Sequence, residues 1–326
     1  MALTLFGFLY ITVLIMLTNA ATGLGISHRP LRILQTAMPA LIFIQLLGRI
    51  SASTVNDLFG LSYILFAVAS IAILLLLIRF ETPWRQVARL ISASSLIASP
   101  TFDSRRPMHR LALLLLISAL ATLYWRSSAE GGLQNLLDDY LAADAALLNL
   151  TTDAIINVLL ALLGVGWVVR RDWANALKRL GLRFPTRRDL LVGIALGCIL
   201  YFGASLLMLV WQGMAPASDF EEQTAAARQI FDSFSSSLFM GALVALLAAI
   251  GEETLFRGAL QPVFGVMIVS LFFTAIHLQY AATPAAAIVF LVSLAFGWAR
   301  ACFNTTAAIV SHFVYNMIPF LLASMA

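Results

Sequence analysis

Apolar runs of about 20 residues, the length that crosses a bilayer as a helix, recur along the whole chain. They fall near 3–24, 31–48, 58–78, 110–125, 152–169, 189–212, 237–260, 263–280, 284–299 and 304–324. The pattern predicts an all-α fold, a polytopic transmembrane helical bundle of about ten spans. Residues 133–150 (LQNLLDDYLAADAALLNL) carry too many acids to span and read as an amphipathic helix at the interface. Residues 219–234 (DFEEQTAAARQIFDSF) read the same way. No Lys or Arg precedes Arg29, so residues 1–24 read as a retained first span rather than a cleaved leader.

Composition agrees. Of 326 residues, 61% are hydrophobic and 11% charged, where soluble domains carry about 25% charged residues. The net charge of +4 is concentrated in loops and is not interleaved with exposed aromatics, which argues against nucleic acid as a partner. The basic segments are 28–32, 79–110 and 170–189, whereas 126–151 and 213–236 are acidic. The positive-inside rule places the basic loops, Arg300 and a turn near Pro262 in the cytoplasm, with both termini outside. Arg49 is the one misfit. His28 and His109 flank arginines and read as solvated loop residues. Cys198 and Cys302 lack any CxxC partner and read as buried apolar side chains.

The basic loop around Pro185 divides the chain. Residues 1–187 form an N-terminal membrane-embedded accessory region of about five spans with no evident chemical group inside them. Residues 188–326, also about five spans, hold nearly all the polar residues that a lipid-facing helix would not carry. In GEETLFRGAL (251–260), Glu252, Glu253 and Arg257 interrupt an apolar run. Each ion at a helix centre costs about 2.5–3.5 kcal/mol on insertion scales. Glu253 and Arg257 are spaced i,i+4 in the favourable order, so the arginine holds one carboxylate. Glu252 is rotated by about 100° and has no such partner. Two further spans carry polar groups at the same period: Phe273 with His277, and His312 with Asn316. Rise per residue puts Glu252, His277 and His312 about 12–21 Å from the cytoplasmic turns, close enough in depth to meet.

The ordered set EETLFR (252–257), FTAIH (273–277) and HFVYN (312–316) resembles the CAAX-protease and bacteriocin-processing (CPBP) family of intramembrane proteases, which includes the type II CAAX prenyl endopeptidases. The resemblance covers about residues 188–326. It implies an endopeptidase acting on a membrane-associated, lipidated or leader-bearing peptide, in an integral multi-pass protein of a bacterial plasma membrane. It also implies roles. Glu252 activates a water, His277 helps hold it, His312 and Asn316 stabilise the oxyanion, and Glu253 and Arg257 support the geometry. The partners implied are membrane lipids and a peptide substrate. Two His and a Glu are donors that zinc accepts, so a divalent metal on His277 and His312 stands beside a metal-free, glutamate-activated water. HExxH is absent. A proton relay of a transporter and a non-enzymatic membrane scaffold are the competing uses of a buried Glu/Arg/His network.

Overall fold

The computed structural model describes residues 2–24, 58–127, 132–142, 145–280 and 283–325. The span expected at 31–48, the basic 28–32 segment with His28, and Arg49 lie outside the described residues. The rest is almost entirely helical: α1 (Ala2–Gly23), α2 (Leu58–Arg79), α3 (Thr82–Ala93), α4 (Pro107–Ser127), α5 (Gly132–Leu141), α6 (Ala146–Val165), α7 (Trp173–Leu180), α8 (Arg187–Met214), α9 (Ala217–Phe234), α10 (Leu238–Glu253), a π-helical turn (Thr254–Leu260), α11 (Gln261–Ile276), α12 (Pro284–Cys302) and α13 (Thr305–Ala323). Six segments among the described residues are long and apolar enough to cross a membrane, and they lie in α4, α6, α8, α10 through α11, α12 and α13. The protein is an all-α integral-membrane bundle.

Where the chain turns is set by local chemistry. Thr186 and Asp189 form a capping box that starts α8. Ser237 and Asn304 cap α10 and α13 through their side chains. Gly166 adopts φ 97° and stops α6. That glycine ends the helix expected at 152–169 four residues early, and the helix starts at Ala146. The expected amphipathic stretch 133–150 is therefore divided between the short α5 and the first turn of α6.

The helix carrying the two glutamates does not run straight on into α11. Gly265 has φ 83° and ψ 165°, a region open essentially only to glycine. Arg257 and Phe273 lie equally far from it along the chain, yet the Arg257 guanidinium sits 4.7 Å from the Phe273 ring centroid. Phe256 likewise meets Phe273 at 5.3 Å. A continuous helix would hold Arg257 and Phe273 about 24 Å apart, so the chain folds back at Gly265. The reversal expected near Pro262 is real but lies three residues further on, where the backbone rather than the proline permits it.

The bundle has two chemically different ends. Thr101 donates from its N–H and Oγ1 to the Pro262 carbonyl at 3.0 and 2.8 Å. Thr305 donates to the carbonyls of Leu180 and Gly181. Arg183 and Asn304 both hold Asp189. Among the described residues, the basic segments 79–110 and 170–189, the Gly265 reversal and the α12–α13 turn thus gather at one end. At the other, the acidic helices α5 and α9 are joined by Gln229 and Asp138. Phe220, Thr224 and Phe234 make the buried face of α9, as its amphipathic pattern anticipates. One apolar core joins Leu14, Leu74, Trp84 and Leu114 to Phe256, Phe264 and Phe273. Residues before and after position 187 therefore share a single interior.

Candidate active site

α10 brings the glutamate pair into the bundle because it begins its approach with a glycine. A Cβ on Gly251 would lie 2.8 Å from the Ala154 Cα. Without it, α10 and α6 meet backbone to backbone, and the next two residues emerge at the contact. There the α-helix gives way to the π turn, in which the Gln261 N–H reaches back to the Phe256 carbonyl. Such turns are rare and favour functional positions.

Glu253 and Arg257 are fully buried and paired, with Arg257 Nε 3.2 Å from Glu253 Oε2. The i,i+4 ion pair expected from the sequence survives the wider turn. Arg257 Nη2 donates to the Ser293 carbonyl at 3.2 Å and to Ser293 Oγ at 3.0 Å. The guanidinium also lies over the Phe273 ring, with Phe296 at 5.9 Å. The second oxygen of Glu253 is engaged too, since His312 Nδ1 lies 3.0 Å from Oε1. Glu253 thus ties three helical segments together, and both its oxygens are engaged.

Glu252 is different. It is half-buried, it makes no hydrogen bond or ion pair among the described residues, and its Oε2 is buried without a partner. Its electrostatic neighbours include groups of the N-terminal half as well as Arg257. Tyr140 donates its hydroxyl to Asp153 at 2.8 Å. Burial, Asp153 and then Glu252 push the Tyr140 hydroxyl above its ordinary value, which places Glu252 within electrostatic reach of this pair.

The two imidazoles are oriented by their surroundings. His277 Nδ1 is 2.6 Å from the Phe273 carbonyl. A carbonyl only accepts, so Nδ1 carries the proton and Nε2 of the neutral ring presents a lone pair. His312 stacks on Phe296 at 4.8 Å and meets the Phe273 ring edge-on at 6.2 Å. With Nδ1 directed at Glu253, its Nε2 is also the nitrogen left over. Phe273 is the common neighbour: Arg257, His277 and His312 all pack on its ring.

The placement departs from expectation in one respect. The expected span 263–280 ends at Ile276, and His277 caps it with φ −87° and ψ 66°. Its ring returns to the helix through the Phe273 carbonyl rather than as a residue within the span. Asn316 is half-buried one turn beyond His312, with no hydrogen bond among the described residues. Ser293, Phe296, Tyr140 and Asp153 are additions that no spacing announced. A lone serine in the apolar run of α12 is the only trace the sequence offers of the first.

The donor set of a catalytic zinc is three protein ligands. Among the described residues, no group of three or more His, Cys, Asp and Glu converges in that way. His277 and His312, the ligands expected for a metal, are not joined by a third.

Residues 234–318 match the family model described as type II CAAX prenyl endopeptidase Rce1-like. The similarity is confined to this segment, about a quarter of the chain. Glu252, Glu253, Arg257, Phe273, His277, His312 and Asn316 all fall within the Rce1-like segment. No curated protein and no solved structure matches the chain. The family supports a CAAX-type membrane protease in general terms, and the packing described above places the Rce1-like segment against α4, α6 and α7.

Proposed function

We propose that the protein is an intramembrane endopeptidase that cleaves a membrane-associated peptide with a water activated by Glu252. One observation carries this reading: of two adjacent carboxylates, Glu253 is ion-paired to Arg257 and bonded to His312, while Glu252 makes no hydrogen bond or ion pair among the described residues. A general base has to be available to its water.

In this mechanism Glu252 takes a proton from a water that also donates to His277 Nε2. The resulting hydroxide attacks the scissile carbonyl carbon, and the carbonyl oxygen becomes an oxyanion. Asn316 offers its side-chain N–H groups to that oxygen, and His312, whose Nδ1–H goes to Glu253, adds a donor at Nε2 only when its ring carries both protons. Glu252 then returns the proton to the leaving amine as the C–N bond breaks. Glu253 orients His312 as carboxylates orient imidazoles in catalytic triads, and Arg257 balances its charge. Residues 188–326 form the protease unit, with residues 1–187 as an accessory region that covers α10.

The test is cleavage of a membrane-tethered reporter peptide by the reconstituted protein. Glu252→Gln and His277→Ala abolish cleavage while the protein stays folded. Cleavage that survives Glu252→Gln overturns the mechanism. Proton-coupled uptake without cleavage favours a transporter instead.

A further inference from the structure

Between α1, α4, α6, the π turn and α11 lies a cavity of about 530 Å³, within the range of about 300–1,000 Å³ typical of small-molecule sites. Leu116, Leu120, Leu160, Phe256 and Phe272 give it an apolar wall. Arg106, Arg170, Arg171 and Arg179 line it as well, all from the segments that gather at the basic end of the bundle.

The arginines are held together rather than spread apart. A Cβ on Gly166 would lie 3.0 Å from Arg170 Nε and 3.3 Å from Arg171 Nη1, so two guanidinium groups bracket one point. What holds them is neutral. Arg170 Nε donates to Asn19 Oδ1 at 2.9 Å, Arg171 to the Val165 carbonyl, and Arg179 to the Gly258 carbonyl at 3.3 Å. No ion pair joins Arg170, Arg171 or Arg179 to a carboxylate among the described residues, and Arg106 has only Asp103 at 3.6 Å.

Retention of basic residues in the cytoplasm requires them to face water. It does not require them to converge on an internal cavity without counter-ions. Burial, followed by the neighbouring arginines, pushes Arg170 below its ordinary value, and burial followed by Arg171, Arg300 and Arg170 pushes Arg179 down to about 10. An anion at this point would relieve the repulsion, and guanidinium forks match a phosphate. The adjoining apolar volume selects an anion with a hydrocarbon body.

We propose that this cavity binds one anionic phospholipid, with its phosphate between Arg170, Arg171, Arg179 and Arg106 and an acyl chain along Leu116, Leu160 and Phe272. The site lies outside the proposed peptidase chemistry and stands without it. Phe256 and Phe272 belong to the two arms of the Gly265 hairpin, so the bound chain props that hairpin from behind.

The experiment titrates the purified full-length protein in zwitterionic detergent with phosphatidylglycerol, with phosphatidylcholine and with inorganic phosphate. Binding is followed by native mass spectrometry and by thermal melting. Phosphatidylglycerol is expected to bind and raise the melting temperature, and the other two to have little effect. Arg106→Gln with Arg170→Gln weakens phosphatidylglycerol binding by about fivefold per arginine, while Lys at both positions restores part of it. Ala119→Trp, which fills the cavity from its exposed rim, blocks binding with the arginines intact. Equal binding of both lipids overturns the proposal. So does an equal response to inorganic phosphate, or unchanged affinity in a folded double Gln variant.

Discussion

Glu253 Oε1 and His312 Nδ1 stand 3.0 Å apart although 59 positions separate them. The contact puts neighbouring acids in different surroundings, and under the proposed mechanism substitution separates them. Glu253→Gln leaves Arg257 buried without its countercharge, a loss of about 3–5 kcal/mol, and removes the group that orients His312. Glu252→Gln removes no partner, so the protein keeps or gains stability while cleavage falls by about 10²–10⁴-fold. Thermal melting in detergent alongside the reporter assay reads both. Equal destabilisation by the two variants would contradict this division.

Gly265 sits where only glycine is comfortable. Its Cβ would have ordinary room, 3.6 Å from Pro100, so the strain in Gly265→Ala is purely conformational. The expected cost is about 1–3 kcal/mol, with loss of cleavage as Phe273 and His277 shift. Gly203→Ala, in mid-helix with nothing within 4 Å, is the contrasting case and stabilises by about 0.5–1 kcal/mol. Melting temperatures of the pair check both signs.

At Gly251 the obstacle is a backbone, which does not swing aside as a side chain does. Gly251→Ala drives α10 from α6 and costs about 1–3 kcal/mol by overpacking. Because Glu252 follows directly, cleavage drops further than the stability loss alone predicts. The compensating change Ala154→Gly leaves the backbone clash and does not rescue it, and a double-mutant cycle measures this.

The Tyr140 hydroxyl is raised by burial and by its bond to Asp153. The folded protein therefore holds that proton more tightly than the unfolded chain does. The contribution is fully present below about pH 10, the unfolded value, and is lost as pH rises above it. Tyr140→Phe lowers stability at neutral pH and flattens the decline above about pH 10. Melting curves at pH 7 and pH 10.5 test the sign.

How much of this was legible in the sequence follows from range. Glu252, Glu253, Arg257, His277 and His312 announced themselves because ions and imidazoles inside apolar runs are costly. The i,i+4 rule paired Glu253 with Arg257 correctly. The link from Glu253 to His312 needs two helices to be neighbours, and no local period encodes that. The reversal was placed at Pro262 because proline is the conspicuous breaker, whereas the positive φ belongs to Gly265. His109 read as a solvated loop residue from its flanking arginines. It lies instead in α4, half-buried, accepting from the Asp103 N–H at 3.0 Å and stacked on Phe102. The polar contribution of the N-terminal half escaped notice because Tyr140 and Asp153 acquire meaning only beside Glu252.

The bare backbone at position 251 also bears on how the protein is to be handled. A fragment cut near position 187 would expose the flank of α10 that Ala154 now seals, and it would leave the carbonyl that Leu180 offers to Thr305 without a replacement. Expression and reconstitution of the peptidase segment alone would then yield an incomplete fold. The shortest fragment expected to fold therefore extends back to at least the start of α6, although the proposed chemistry lies within 188–326.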